Sequence, residues 1–307
     1  MKRVAIDVDT GVDDALALLL ALRSPELNIE GVSTVAGNVP VETATRNTRL
    51  VLDVAQAPAA LPLAQGASRA LKRVSVHSTF VHGADGLGNA SGVYPPPQHP
   101  VMEKDAATLL LELIGRYGDA LTLISLGPMT NLALAAREDP ALFRRVGEVV
   151  QMGGAVRHAG NITPTAEFNI YVDPEAAAEV VATGVRLRLV PLDATTGALL
   201  RRAELRRRAQ ERDSAVFQFV REITVVILDF YQQRLGLDGF HPHDPMAVAA
   251  AIDPTLLTWE RMRLEVRTDD VERGRTVGVP DESSPVLVAT GVDAGRFLAL
   301  FTGRVCR

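Results

Sequence analysis

The segment IDVDTGVDDALALLLAL (6–22) holds Asp7, Asp9, Asp13 and Asp14 within eight residues and follows them with an apolar run. Like charges that close repel and raise one another's pKa unless a cation neutralises them. Two readings are open. The acids cap a helix at a solvated turn, where the helix dipole favours each by a few tenths to about 1 kcal/mol. Alternatively they bind a hard divalent cation through oxygen. Capping accounts for one or two acids, but not for Asp9, Asp13 and Asp14 converging on one turn.

Other stretches carry polar residues of the same kind. STVAGN ends on Asn38, ISLGPMTN holds Leu126 and Gly127, QMGG holds Met152, and PLDAT holds Asp193. The loop GNITPTAEFNIYVDPEA (160–176) carries Asn161, Glu167, Asn169 and Asp173 with little apolar content. Loops of that kind between regular elements are where function concentrates. HPHDP (241–245) holds His243 and Asp244, and VHGADGLG holds His82. Taken singly, the histidines read as surface, capping or ordinary loop residues. Asp244 reads as a helix cap, and Asp173-Pro174 reads as an N-cap with proline at the first helical position.

The elements that must position these residues alternate. Val4–Val8, Ile29–Val35, Leu121–Leu126, Glu148–Met152 and Leu187–Leu192 read as buried strands. Asp13–Arg23, Val41–Ala55, Met129–Arg137 and Pro174–Thr183 read as helices. This rhythm predicts an α/β fold with a mostly parallel central sheet flanked by helices, open, doubly wound and Rossmann-like. The last third adds helices near 201–233 and 244–252, then late strands in RMRLEV and PVLVAT. YPPPQHP (94–100) reads as a rigid surface loop, so residues 1–307 are expected to form a single domain. In such folds ligands sit beyond the carboxyl ends of the strands, where Asp7 and Asp9 fall.

Composition narrows the function classes. The chain has 307 residues, 47% hydrophobic and 22% charged, with formal net charge −5. Acids and bases are interspersed, which argues against a nucleic-acid or membrane surface. The basic run Arg201–Arg212 contains Glu204 and Glu211 and reads as a solvated helix face. Cys306, alone, fits a reducing compartment. No secretory signal or membrane span is legible, so a cytoplasmic location is expected.

Together these stretches resemble the nucleoside hydrolases, which cleave the N-glycosidic bond of ribonucleosides. The resemblance runs in order through DVDTGVDDALAL, VAGN, VHGADGLG, LGPMTNLALA, MGG, GNITPTAEFNIYVDPEAA and HDP. The first and sixth segments are highly specific. Thr10 stands where the family usually has proline; threonine can make the turn and leaves every acid in place.

The resemblance implies a tightly bound Ca²⁺ held by Asp9, Asp14 and Asp244 and by the Leu126 backbone carbonyl. It assigns Asp13 and Asn169 to the ribose 2′- and 3′-hydroxyls, Asn161 and Glu167 to the 5′-hydroxyl, Asn38 to the region of the water and 2′-hydroxyl, and Met152 to the ribose pocket. The ion would orient the sugar and acidify a water, and Asp9 would accept its proton as general base. His243 and His82 are the candidates for assisting the leaving base. The resemblance gives Asp7 no role of its own; it is expected to support the shell around the other acids. A homodimer or homotetramer is expected.

Residues 227–240, with Tyr231, Gln232, Gln233 and Arg234, should lie over the nucleobase; they do not separate purine from pyrimidine. Two rivals are weaker. A haloacid dehalogenase-type phosphatase would want Thr or Val where Gly11 stands. A non-catalytic ribonucleoside-binding protein would have no use for Asp9, Asp14 and Asp244 together.

Overall fold

Val4–Val8 is fully buried, and this β-branched stretch lies at the heart of one large sheet. The structure is a computed structural model and describes residues 1–211 and 214–306. The strands are β1 (Lys2–Val8), β2 (Leu27–Thr34), β3 (Leu63–Gln65), β4 (Leu121–Ser125), β5 (Glu148–Met152), β6 (Leu187–Val190), β7 (Leu200–Arg201), β8 (Gly239–Phe240), β9 (Leu257–Val266), β10 (Thr276–Pro280) and β11 (Val286–Val292). Nine of them join in the order β10-β9-β11-β6-β5-β4-β1-β2-β3, and β7 pairs with β8. From β3 through β1 to β11 all neighbours run parallel; β9 and β10 add antiparallel pairs. The sheet is thus α/β and doubly wound, as the alternation predicts.

The chain builds outward from β1 in one direction and restarts at β4 in the other. The strand order therefore reverses between β1 and β4, where their carboxyl ends part into a crevice. The paired register Asp7 to Ser125 brings Asp9 level with Gly127, one residue past Leu126, just beyond those ends.

Two helices bring acids to this crevice. In the helix Val12–Leu22 every residue from Val12 to Ala21 is buried, which marks it as interior to the fold. The equally apolar helix His243–Ile252 packs against it. Burial of both apolar surfaces sets their N-termini together, joining Asp13 and Asp14 to Asp244, which is 230 residues away from Asp14 in sequence. Each fully buried Leu in that interface contributes about 1.5–3 kcal/mol, so the apposition is strongly held.

Several boundaries differ from the sequence reading. β6 stops at Val190, because Pro191 has no N–H for the ladder, and Leu192–Thr195 turns into a short helix. Asp244 is not a cap: Pro242 precedes the helix and Asp244 sits inside its first turn. Asp173 does cap Pro174–Ala182, accepting from the Ala176 amide at 3.1 Å. The helices Ala106–Tyr117 and Ala294–Val305 and the strand β10 go beyond the elements read from sequence. The basic run forms the helix Arg202–Glu211, where Arg207 and Arg208 pair with Glu204; Arg212 lies outside the described residues. Among the described residues no helix is long and apolar enough to cross a membrane.

Candidate active site

Asp9 leaves β1 and is clasped by two glycines. A Cβ on Gly37 would lie 2.0 Å from Asp9 Oδ2, and one on Gly127 would lie 2.9 Å from Oδ1. Asp9 Oδ2 accepts from the Asn38 amide at 2.7 Å, while Oδ1 is buried without a partner. Gly11 serves the same economy of space. Its backbone is extended, and a Cβ there would run into the His82 ring at 2.7 Å.

Asp14, the third residue of its helix, reaches back to the amide of the N-cap residue Gly11, so it serves capping as the first reading anticipated. Its Oδ1 accepts from the Asp9 amide at 3.1 Å, and Oδ2 accepts from the Gly11 amide and from Asn38 Nδ2, both at 3.0 Å. Asp13 reaches the other helix. Its Oδ2 accepts from the His243 and Asp244 amides at 2.9 and 3.1 Å, at a helix N-terminus where the dipole favours an anion; its Oδ1 has no partner. Capping therefore explains Asp14 and half of Asp13, and leaves Asp9, Asp244 and the rest of Asp13 over.

Burial dominates the electrostatics. Asp9 and Asp244 are pushed well above the ordinary carboxylate range by desolvation and then by the charge of Asp14. Desolvation pushes Asp13 to about 8, raises Asp14, and takes Asp7 to about 7. Asp7 accepts from Ser33 and Asn131, and so braces β1 against β2 and the helix Thr130–Glu138. Among the described residues no lysine or arginine lines the adjoining cavity.

The cavity is about 450 Å³, the size of a small-molecule site. It is lined by the polar residues Asp13, Asn38, Asn161, Glu167 and Asn169 and by an aromatic and imidazole group, Phe230, Tyr231, His241 and His243, which Asp13 meets through the His243 amide. Glu167 is buried and raised by desolvation; it caps the helix Phe168–Val172 and accepts from the Gly154 amide at 2.9 Å, where φ is +86°. Asn161 Oδ1 accepts from the Phe168 amide at 2.9 Å. Asn169 Nδ2 donates to the Leu126 carbonyl at 2.6 Å and to the Met152 carbonyl at 3.2 Å. Asn38 bridges Asp9 and Asp14, and its Oδ1 accepts from Ser78 Oγ at 2.5 Å.

The two histidines differ. His82 ends the short helix Thr79–His82; it is not in a loose turn. Its Nδ1 accepts from the Val12 amide at 3.1 Å, and burial lowers its pKa to about 4. His243 is lowered to about 3 by burial and by the neighbouring histidines. Its Nε2 lies 3.1 Å from Tyr231 Oη, and its Nδ1 lies 2.7 Å from Thr195 Oγ1. Sequence reasoning missed Thr195, Ser78 and Gly37. Each lies in or beside a quoted segment, but a lone Thr, Ser or Gly there carries no chemical pattern.

Among the described residues no group of three or more His, Cys, Asp or Glu stands as a ready metal-ligand set; the carboxylates turn several oxygens onto backbone amides instead. The donor chemistry nonetheless fits a hard cation. In the opening acid cluster three buried carboxylate oxygens, Asp7 Oδ2, Asp9 Oδ1 and Asp13 Oδ1, lack partners among the described residues, and Asp244 accepts no hydrogen bond from them. Four buried acids in contact need positive charge.

Known proteins resemble this chain in sequence and fold. The profile of the family described as "Inosine-uridine preferring nucleoside hydrolase" matches residues 4–299. The chain is 37% identical to the inosine-uridine preferring nucleoside hydrolase of Crithidia fasciculata over 279 residues, 90% of this chain and 87% of that protein. It is 36% identical to uridine nucleosidase 1 of Arabidopsis thaliana over 277 residues, 90% of this chain and 81% of that one. Among solved structures, a purine-preferring ribonucleoside hydrolase from Gardnerella vaginalis superposes with a TM-score of 0.93 at 32% identity, covering 99% of this chain and 98% of that one. The strand-end acids, the cavity and these likenesses agree: the chain belongs to the inosine-uridine preferring nucleoside hydrolase family and is a hydrolase of the N-glycosidic bond of ribonucleosides.

Proposed function

We propose that the chain carries out this hydrolysis with a Ca²⁺ held by the carboxylates of Asp9, Asp14 and Asp244 and by the Leu126 carbonyl. The observation that carries the reading is that buried carboxylate oxygens of one acid cluster, Asp9 Oδ1 and Asp13 Oδ1 beside the cavity and Asp7 Oδ2 behind them, have no partner among the described residues. When bound, such an ion supplies Lewis acidity toward water and two coordination positions for a vicinal diol.

The chain's residues do the rest. Asp9 Oδ1 has a free lone pair and accepts the proton of the attacking water as general base. Asp13 Oδ1 accepts a ribose hydroxyl, while Oδ2 stays fixed on two amides. Asn169 and Asn38 crowd the same diol side, Met152 lines the ribose wall, and Asn161 with Glu167 meets the 5′ end. As the C1′–N bond lengthens, positive charge grows on the ribose, and the surrounding carboxylates stabilise it. His243, beside Asp13 and Tyr231 in the cavity wall, assists the departing base. His82 backs Gly11 and the start of the first helix, which suits it to holding the acids in place.

Elemental analysis of the purified protein should find calcium, and exhaustive chelation should abolish turnover until Ca²⁺ is restored. Absence of calcium together with activity unmoved by chelation would refute the metal assignment and leave the hydrolase family untouched.

A further inference from the structure

We propose that Thr195 is a positioning residue that fixes the tautomer of His243, so that Nε2 carries the hydrogen and the hydroxyl of Tyr231 is left free for the departing base. The inference rests on the reading that the His243 end of the cavity receives the nucleobase.

Thr195 is fully buried at the end of the short helix Leu192–Thr195, just beyond β6. Its hydroxyl has one hydrogen-bond partner among the described residues, His243 Nδ1 at 2.7 Å. A buried hydroxyl that finds no acceptor is costly, so this O–H donates to the one acceptor in reach. Nδ1 is then a bare nitrogen, and in the neutral ring the hydrogen sits on Nε2.

Nε2 lies 3.1 Å from Tyr231 Oη. With the hydrogen on Nε2, Tyr231 Oη accepts. Its own hydrogen then has no acceptor from the described side chains, and Tyr231 lines the cavity. The hydrogen bonds run in one direction, from Thr195 to His243 to Tyr231 to the ligand, and each polarises the next. The opposite tautomer would strand the Thr195 hydrogen and spend the Tyr231 hydroxyl on Nε2, leaving the base end without this donor.

The chemistry balances without proton transfer along the chain. When C1′–N breaks, the bonding electron pair stays on the base nitrogen and charge spreads to the base's carbonyl oxygens or ring nitrogens. Tyr231 O–H strengthens its hydrogen bond to such an acceptor as that charge grows.

Thr195→Val keeps the shape and removes the hydroxyl; Thr195→Ser keeps the hydroxyl. In the calcium-loaded full chain, Thr195→Val should lower kcat on uridine and inosine by roughly tenfold to a hundredfold, at the low end of what positioned proton donors contribute. KM should stay within about threefold, and turnover of p-nitrophenyl β-D-ribofuranoside, whose leaving group needs no help, within about twofold. Thr195→Ser should restore the natural substrates. ¹⁵N NMR of the unmodified protein should show His243 with a protonated Nε2 and a bare Nδ1, and Thr195→Val should draw the two shifts together. A protonated Nδ1 in the unmodified protein overturns the proposal whatever the kinetics. Equal losses on all three substrates, or failure of Thr195→Ser to restore activity, overturn it as well. If His243→Ala costs all substrates equally, the base-end reading fails, and the NMR result still decides the tautomer by itself.

Discussion

The two ends of the strands in one sheet treat negative charge in opposite ways. Toward the amino ends, carboxylates meet arginines: Arg3 pairs with Glu30, and Arg304 Nη2 lies 2.7 Å from Glu26 Oε1. These groups stay partly in solvent, and the arginine holds Glu26 below the ordinary carboxylate range. At the carboxyl ends, Asp9, Asp13, Asp14 and Asp244 are buried, adjoin a cavity that no described lysine or arginine lines, and are all raised. Surface pairs contribute little and are replaceable. A buried cluster of like charge works against folding, and its placement at the topological switch point ties that cost to chemistry.

The largest test of this contrast is the sugar. Removing the 2′-hydroxyl should leave Asp13 unpaired in a desolvated pocket. A site built for a hydroxyl rejects the analogue lacking it by up to about 10⁴-fold, so kcat/KM for a ribonucleoside should exceed that for its 2′-deoxy counterpart on that scale. Asp13→Ala should narrow the gap while lowering activity on ribosides. Comparable values in the unaltered enzyme would remove the assignment of Asp13 to the diol.

Asp9→Asn comes next. It keeps the size of the side chain and removes the base, so kcat should fall about 10²–10⁴-fold or more, with a much smaller change in substrate affinity. Near-normal turnover would move the general base elsewhere.

His243→Ala sharpens the comparison within the cavity. Natural nucleosides should slow by about 10²-fold, and p-nitrophenyl riboside should scarcely change. Equal losses would make His243 a structural residue.

Stability against pH separates the two ends of the strands directly. The raised acids, Asp13 at about 8, bind protons more tightly in the folded chain than at the unfolded value near 3.8. Chelator-treated protein should therefore lose stability as pH rises from about 4 to about 8, and calcium should flatten that slope. A thermal midpoint that instead rises over this window in chelator would contradict the cluster's electrostatics.

The smallest effect belongs to the amino ends. Glu26→Gln removes a half-exposed pair and should cost under about 1 kcal/mol by urea unfolding, less in high salt, with activity unchanged. A loss of several kcal/mol would place a hidden charge network there.

The sequence by itself determined the alternating α/β architecture, because β-branched runs and helical periodicity are local patterns. It determined the opening acid cluster too, since Asp7 to Asp14 lie within one strand-to-helix turn whose neighbours are too apolar to solvate them. The Pro174 helix start was equally legible, as Asp173 and proline act on adjacent backbone. Tertiary structure alone decided which strands flank β1, and hence that Gly127 closes against Asp9. It also decided that Asp244 lies inside the first turn of its helix beside Asp13 and is not a cap, because that follows from two buried helices packing side by side. Gly11 and Gly37 owe their importance to the His82 ring and the Asp9 carboxylate, which approach from outside their own segments. Thr195 was invisible for the same reason: a threonine in a short helix past a strand has no local signature, and its hydroxyl gains meaning only from His243, folded against it from 48 residues away.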